Sequence, residues 1–182
     1  MDLQHLLKRY PRTAELRDGT SVVLRPLKAE DEDQLVALFA DIPYEELRNL
    51  RDNVAEASVV QGWCRHLNYD RVLPIVAETD GAIIADATLH RRRVGPMRDL
   101  GRLRAYVHPA YRGRGLGAVL LAELIDIARL LGLTQLAVEL FEDQHALIRM
   151  FQRYGFRIEG HMPVYRTVIL VREIAPAQRA TA

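Results

Sequence analysis

The sequence predicts an α/β (α+β) fold, a single domain built on a mixed, mostly antiparallel sheet of about six to seven strands with helices on both faces. Three observations lead to this prediction. Strand-like segments follow one another directly, and two of them meet at the hairpin signal Asp80-Gly81. One amphipathic helix then connects a strand to the next, as a crossover between parallel strands requires. Other helical segments lie before and after the central strands, so that both faces of the sheet are covered.

Each element rests on a local pattern. Apolar residues at helical spacing, such as Leu35, Leu38 and Phe39, predict helices. Short apolar runs bounded by Gly, Pro or Asp predict strands. The predicted helices are 28–40, 55–67, 118–131 and 145–154, and the predicted strands are 21–24, 73–79, 82–90, 100–107, 135–141, 157–159 and 165–174.

The length of 182 residues suits one domain with a full hydrophobic core. We expect an N-terminal arm over residues 1–18, in which residues 1–17 form a short helix or arm interrupted by Pro11. The domain itself is expected over residues 19–174. A small, polar and flexible tail is expected over residues 175–182.

Composition excludes several classes of protein. The net charge of +1 gives no strong field for nucleic acid or a membrane surface. Cys64 is the single cysteine, so an internal disulfide is impossible, and the histidines lack metal-ligand spacing, so we expect no metal. The N-terminus does not have the pattern of a signal peptide, and no apolar run approaches the ~18–20 residues of a membrane span. We therefore expect a cytoplasmic protein.

The most informative segment is residues 107–117, VHPAYRGRGLG, which joins a predicted strand to the predicted central helix. Its glycines allow positive φ and close approach of a ligand to the backbone. A helix start directs free N–H groups at one point, where the helix dipole also favours an anion. Arg112 and Arg114 add charges that can pair with phosphate oxygens. The segment therefore predicts a binding site for a diphosphate.

Three other interpretations of this loop are weaker. A P-loop requires a Gly-Lys-Ser/Thr sequence, and no lysine follows here. A dinucleotide-binding loop fits the spacing of Gly113, Gly115 and Ala118, but that motif belongs to parallel βαβ units, whereas hairpin strands precede it here. A purely structural loop leaves the two arginines without a purpose.

Two motifs resemble the GNAT superfamily of N-acetyltransferases. Residues 112–117, RGRGLG, resemble its Arg/Gln-x-x-Gly-x-Gly/Ala pyrophosphate motif, and residues 146–156, ALIRMFQRYGF, resemble its following helix, which ends on a Gly-Phe pair. The order of elements over residues 21–174 also matches. The resemblance is greatest to bacterial members, including the protein-lysine acetyltransferase domains.

The resemblance implies acetyl-CoA as co-substrate, with the pantetheine arm in a gap between the two middle strands. By position, Val107 and its neighbours would face the pantetheine amides, and the Val107 N–H would polarise the thioester carbonyl. Gln144 stands where the family has an asparagine that contacts the cofactor. The implied cofactor-binding residues are Val107, His108, Arg112, Gly113, Arg114, Gly115, Leu116, Gly117, Ala118 and Gln144.

The chain departs from the family at two catalytic positions. Phe151 occupies the place of a tyrosine acid, and Arg102 occupies the place of a glutamate base on the strand before the loop. We expect Tyr154, one helical turn later, as the acid and Glu139 as the base. On the third predicted strand, Asp86, Thr88 and His90 share one face, which either serves catalysis or is an ordinary polar face.

The expected acceptor is a small-molecule amine or a protein lysine, bound by a monomer or a homodimer. By family position, the acceptor site lies near residues 41–63 and 160–165. Tyr44, Trp63 and Met162 could line it, and Asp41, Glu45 and Glu46 could attract a cation. The alternative is a CoA- or acyl-CoA-binding regulatory or sensor domain with little or no turnover, because two catalytic residues of the family are missing.

Overall fold

The structure, a computed structural model, describes residues 3–40, 42–48, 50 and 52–175. Two single-turn 3-10 helices, Ala29–Asp31 and Pro109–Tyr111, supplement the elements named next. The helices are α1 Leu3–Leu7, α2 Glu32–Ala40, α3 Tyr44–Leu47, α4 Ala57–Arg65, α5 Leu116–Leu130 and α6 His145–Arg153; the strands are β1 Arg12–Glu15, β2 Ser21–Pro26, β3 Val72–Thr79, β4 Ala82–His90, β5 Leu100–Val107, β6 Gln135–Phe141, β7 Arg157–Met162 and β8 Thr167–Glu173.

The strands form one mixed sheet in the order β1-β2-β3-β4-β5-β6-β8-β7. Every neighbouring pair is antiparallel except β5 and β6, which are parallel and joined by the crossover helix α5. The predicted α/β class and the mostly antiparallel sheet are confirmed. The sheet has eight strands rather than six to seven, and the additional strand is β1.

The N-terminal prediction was correct for α1 and missed β1. Residues 12–15 pair with β2 in antiparallel register instead of continuing a helix or a free arm. The segment is tied to α5 by Glu123, a buried residue that accepts hydrogen bonds from the Tyr10 hydroxyl at 2.6 Å and from Arg12 at 2.8 Å. The division into an arm, a domain and a tail stays a prediction, and residues 176–182 of the expected tail lie outside the described residues.

Two hydrophobic clusters cover the two faces of the sheet. The larger cluster packs α1, α5 and α6 onto one face, with Leu120, Leu124 and Ile127 of α5 at its centre. The smaller cluster packs α2 and α4 onto the opposite face through residues such as Phe39 and Val60. Side chains of a strand alternate between the faces. The central strands therefore present one set of residues to α5 and the other to the face covered by α2 and α4.

A gap opens between the two parallel strands in the middle of the sheet. Among the described residues, β5 and β6 pair only near their starts, where 100–102 lie beside 135–137. Residues 103–107 and 138–141 carry no such pairing with each other, so the carboxyl ends of the two strands diverge. The loop from β5 to α5 starts at this open end.

Candidate active site

The loop from β5 to α5 has the backbone conformation that its glycines predict. Gly113 has a φ of +76° and Gly115 a φ of +96°, both in the left-handed region. Gly115 is the N-cap of α5, and no side chain caps this helix end. The helix begins at Leu116, two residues earlier than the start predicted at residue 118.

Five successive N–H groups of this loop, those of residues 113–117, have no hydrogen-bond acceptor within the described residues. The N–H groups on either side are already used. The Arg112 N–H donates to the Pro109 carbonyl at 3.2 Å, and the Ala118 N–H donates to the Gly115 carbonyl at 3.0 Å. The amides available to an anion are therefore those of residues 113–117, which lie within the stretch 112–118 that the resemblance implies for the cofactor.

Both arginines of the loop are held by carboxylates. Arg112 makes two hydrogen bonds of 2.7 Å to Glu46 and donates its Nε to the Val107 carbonyl at 2.9 Å. Arg114 donates to Asp18 at 3.0 Å. The hydrogen bonds from Arg112 hold the pKa of Glu46 below its ordinary value. Arg112 thus fixes the end of β5, and its guanidinium is already engaged in the structure.

Arg17 is a third cation at the loop that the sequence analysis missed. Its N–H donates to the Arg114 carbonyl at 3.0 Å. Its side chain is exposed and lies against Gly115, where an added Cβ would come within 3.3 Å of Arg17 Cγ. Arg17 belongs to the turn after β1. Because the sequence did not predict β1, it did not predict that Arg17 lies beside the loop.

The backbone of β5 points its free groups into the gap. The His108 N–H donates to the Ile84 carbonyl of β4 at 2.9 Å. Because alternate residues of a strand face opposite neighbours, the N–H of Val107 points away from β4, toward the gap. The His108 ring has a local role, since its Nδ1 accepts from the Ala110 N–H at 3.2 Å.

The three remaining predicted site residues have partners within the protein. The Phe141 N–H donates to Oε1 of Gln144 at 2.9 Å, which closes the turn after β6. The Tyr154 hydroxyl donates to the Ala118 carbonyl at 3.3 Å. Glu139 is exposed on the face of α2 and α4 and accepts from Thr167 at 3.1 Å. The Gln144 and Tyr154 contacts stabilise the fold around the gap, and the cofactor and catalytic roles of all three residues stay predictions.

A cavity of about 720 Å³ lies on the α2 and α4 face of the sheet, next to β5. Its lining includes Trp63, as expected for the acceptor site, but neither Tyr44 nor Met162 nor Glu139. Asp41, also expected there, lies outside the described residues. The cavity is lined instead by the polar faces of β4 and β5.

Asp86 lies on this cavity and is only partly exposed. Its Oδ2 accepts from the Thr88 hydroxyl at 3.1 Å, and its Oδ1 is shielded from solvent with no hydrogen-bond partner in the described part of the chain. Burial raises the pKa of Asp86 to about 7 and outweighs the Thr88 hydrogen bond, which acts to lower it. A carboxyl group in this setting can take up and release a proton near neutral pH.

No group of three or more His, Cys, Asp or Glu side chains within residues 3–40, 42–48, 50 and 52–175 could hold a metal ion. In the same residues, no helix is both long and apolar enough to cross a membrane. The expected location in the cytoplasm stays a prediction.

Comparison with known proteins gives the family. The Acetyltransferase (GNAT) family profile matches residues 36–156. The chain belongs to this family, as its glycine loop and gapped sheet indicate.

Similar proteins are found in bacteria. An L-methionine sulfoximine/L-methionine sulfone acetyltransferase of Salmonella typhimurium is 41% identical over 58 residues, 32% of this chain and 34% of that protein. A spermine/spermidine N(1)-acetyltransferase of Bacillus subtilis is 31% identical over 72 residues, 39% of this chain and 47% of that protein. The match thus spans a third to a half of these relatives. The GNAT domain of S. lividans PAT has the same fold, with a TM-score of 0.80 and 21% identity over 91% of this chain and 98% of that chain.

Proposed function

We propose that this protein is an acetyl-CoA-dependent N-acetyltransferase that moves the acyl group from CoA to a primary amine by direct attack of the amine on the thioester. One observation carries the proposal: the five N–H groups of residues 113–117 have no acceptor in the described residues, and their loop begins at the open end of the gap between β5 and β6. Membership in the GNAT family supports it. The two relatives described above are named as acetyltransferases of L-methionine sulfoximine and L-methionine sulfone and of spermine and spermidine, and all of these compounds carry an amine.

The loop fits a diphosphate in charge as well as in geometry. The N–H groups of residues 113–117 would donate to the diphosphate oxygens, where the dipole of α5 adds a favourable field. Arg114 is held in place beside them by Asp18. The exposed side chain of Arg17 lies against Gly115, and its guanidinium would add a second charge.

The end of β5 would position the reacting thioester. The Val107 N–H, directed into the gap, would donate to the thioester carbonyl oxygen and stabilise the negative charge that develops on it. Arg112 supports this geometry because its hydrogen bond to the Val107 carbonyl fixes the strand end. Acyl transfer then needs an acceptor nitrogen that reaches the carbonyl carbon from the face of α2 and α4.

The amine must lose a proton before it attacks. An alkylamine with a pKa near 10.4 is protonated at pH 7, and freeing it costs about 4–5 kcal/mol. A carboxylate on the acceptor side can take this proton, and Glu139 is the candidate from the sequence. The CoA thiol is acidic, so an acid at sulfur, for which Tyr154 is the candidate, contributes less, on the order of 2 kcal/mol.

Calorimetry with acetyl-CoA tests the cofactor site. We expect Gly115→Glu to abolish binding, because the side chain and its charge occupy the place of the diphosphate. Gly115→Gln introduces a side chain of the same size and the same backbone strain but no charge. It should bind acetyl-CoA more tightly than Gly115→Glu does. Gly132→Glu, at a φ of +78° after the opposite end of α5, controls for strain and should bind normally. Undiminished affinity in Gly115→Glu, or no binding by the unchanged protein at high micromolar concentration, would refute the assignment.

Release of CoA over a panel of amines and lysine peptides separates the enzyme from the alternative sensor. An enzyme releases CoA in proportion to acceptor. A protein that binds acetyl-CoA by calorimetry but releases none with any acceptor is instead the CoA-binding regulatory domain.

A further inference from the structure

The floor of the cavity beside β5 is a two-strand array of polar side chains. Residues paired across β4 and β5 lie on the same face, about 4.5–5.5 Å apart at Cβ. The pairs that line the cavity are Asp86 with Tyr106, Thr88 with Arg104, and His90 with Arg102. The array therefore carries a carboxyl group at one end and guanidinium groups toward the other.

The two ends of the cavity differ in cover and in charge. Near Asp86, Phe39 packs edge-on against Trp63, with ring centroids 6.0 Å apart, and at a tilt of 35° against Tyr106, with centroids 5.3 Å apart. These aromatic rings cover that end of the cavity. At the other end, exposed arginines such as Arg102 form the mouth. Five arginines line the cavity against two carboxylates, and one of the five, Arg91, is paired with Asp70 outside the lining, so the arginines remain in excess. The cavity thus attracts anions and repels a polycation.

Asp86 has an unused acceptor at the closed end. Its Oδ1 is shielded and lacks a hydrogen-bond donor in the described residues, but the residue is partly exposed and lines the cavity. A small rotation of the carboxyl group would therefore let this oxygen accept from a ligand donor in the cavity. An ammonium or amine group supplies that donor. Arg102 stands where the resemblance to the family placed a carboxylate base. Glu139, the candidate from the sequence, does not line this cavity, whereas Asp86 does.

We propose that Asp86 binds and deprotonates the acceptor amine, and that the cavity arginines select an acceptor that carries an anion beside the amine, as an α-amino acid does. This inference rests on the proposed function and names the acceptor class for the same site. Arg104 lies on the diagonal from Asp86 across the strand pair, about 7–8 Å away, and its long side chain can reach the acceptor carboxylate.

The position of Asp86 suits the reaction. Asp86 pairs with Tyr106 of β5, the strand that borders the gap, and neighbouring strands are about 4.8 Å apart. An amine held on the β5 side of Asp86 would therefore lie at the edge of the gap. The Asp86 carboxylate accepts one proton from the ammonium group. The nitrogen then forms a bond to the thioester carbon while the C–S bond breaks and its electron pair leaves on sulfur. The nitrogen passes its second proton to the thiolate, and Asp86 returns the first to solvent.

Paired acceptors test the selection. CoA release is measured with two pairs of acceptors, L-leucine with isopentylamine and L-phenylalanine with phenethylamine. Within each pair the amine differs from the amino acid only in lacking the carboxylate. Spermidine and an acidic lysine peptide are measured as well. After correction for the fraction of neutral amine, we expect kcat/KM at least about tenfold higher for the amino acids. Arg104→Gln should lower kcat/KM for the amino acids by about tenfold and so remove this preference.

Variants at Asp86 test the base. Asp86→Asn should lower kcat/KM for the preferred acceptor by about 100-fold or more, with unchanged affinity for acetyl-CoA by calorimetry, and Asp86→Glu should restore part of the rate. Asp80→Asn, at the exposed turn between β3 and β4, is the matched control and should keep full activity. Circular dichroism confirms that each variant is folded.

The outcomes separate the two proposals. Loss of acetyl-CoA binding by the unchanged protein would refute the proposed function itself. With acetyl-CoA bound, equal or faster turnover of the plain amines, of spermidine or of the lysine peptide would overturn the acceptor class, as would turnover of none of them. Full activity of Asp86→Asn would overturn the assignment of the base.

Discussion

Asp86→Asn is expected to make the protein more stable at alkaline pH while it removes activity. The pKa of Asp86 rises from 3.8 to about 7 because burial favours the neutral carboxyl group. At 1.36 kcal/mol per pKa unit, ionisation of this group in the folded state costs up to about 4 kcal/mol. The side chain is partly open to the cavity, where water screens it, so we expect about 1–3 kcal/mol. The neutral asparagine avoids this cost.

The sign of the pH dependence follows from proton binding. Between pH 3.8 and about 7 the folded protein holds the Asp86 proton more tightly than the unfolded chain, so the stability of the unchanged protein falls as pH rises through this range. The gain from Asp86→Asn is therefore complete at pH 8 and smaller at pH 5. The titratable groups around Asp86 are Cys64 and His66 from α4, His90 from β4, and Arg104 and Tyr106 from β5.

Urea denaturation followed by circular dichroism at pH 8 and pH 5 measures the effect. A gain of about 1–3 kcal/mol corresponds to about 3–10 °C in melting temperature for a chain of this size. Asp31→Asn is a control for which the free energy of unfolding should fall instead of rise. Burial acts to raise the pKa of Asp31, but hydrogen bonds from Arg25 and the Lys28 N–H outweigh it and lower the pKa. The charged carboxylate therefore stabilises the fold at pH values above its ordinary pKa of 3.8.

The reasoning would be refuted if Asp86→Asn were less stable than the unchanged protein at pH 8, or if the difference did not vary with pH. Either result would mean that the carboxylate of Asp86 is a structural group satisfied in the fold.

Two further predictions concern the N-terminal segment. Arg17→Ala should weaken acetyl-CoA binding by about 5- to 20-fold in calorimetry, since one charge-assisted contact to phosphate is lost. An unchanged dissociation constant would mean that the phosphates do not lie near Arg17. Arg12→Ala should lower the free energy of unfolding, measured by urea denaturation, by about 1–3 kcal/mol, because it leaves the buried Glu123 without its cation. An unchanged unfolding midpoint would show that the hydrogen bond from Tyr10 alone satisfies this carboxylate.

The glycine loop could be predicted from sequence because its determinants are local. Positive φ at Gly113 and Gly115 and the helix start at Leu116 depend on residues that are adjacent in the chain. The partners of the loop arginines could not be predicted in this way. Glu46 and Asp18 lie 66 and 96 residues from their arginines and meet them only in the folded protein.

Strand β1 was missed because its sequence carries little pattern. Residues 12–15, RTAE, lack an apolar alternation, and three of the four are exposed. The strand forms because it pairs with β2 and because Arg12 reaches Glu123. The pattern of β4 did place Asp86, Thr88 and His90 on one face, but the shielding of Asp86 depends on α2 and α4, which pack over it from distant parts of the chain.

The amide resonances of residues 113–117 give the most direct test of the central claim, that these N–H groups bind the diphosphate of CoA. In ¹H–¹⁵N spectra, CoA should shift the amides of residues 113–117 strongly downfield, while pantetheine, which lacks the diphosphate, should leave them in place and shift residues near Val107. Equal shifts with both ligands, or shifts confined to another part of the chain, would contradict the account.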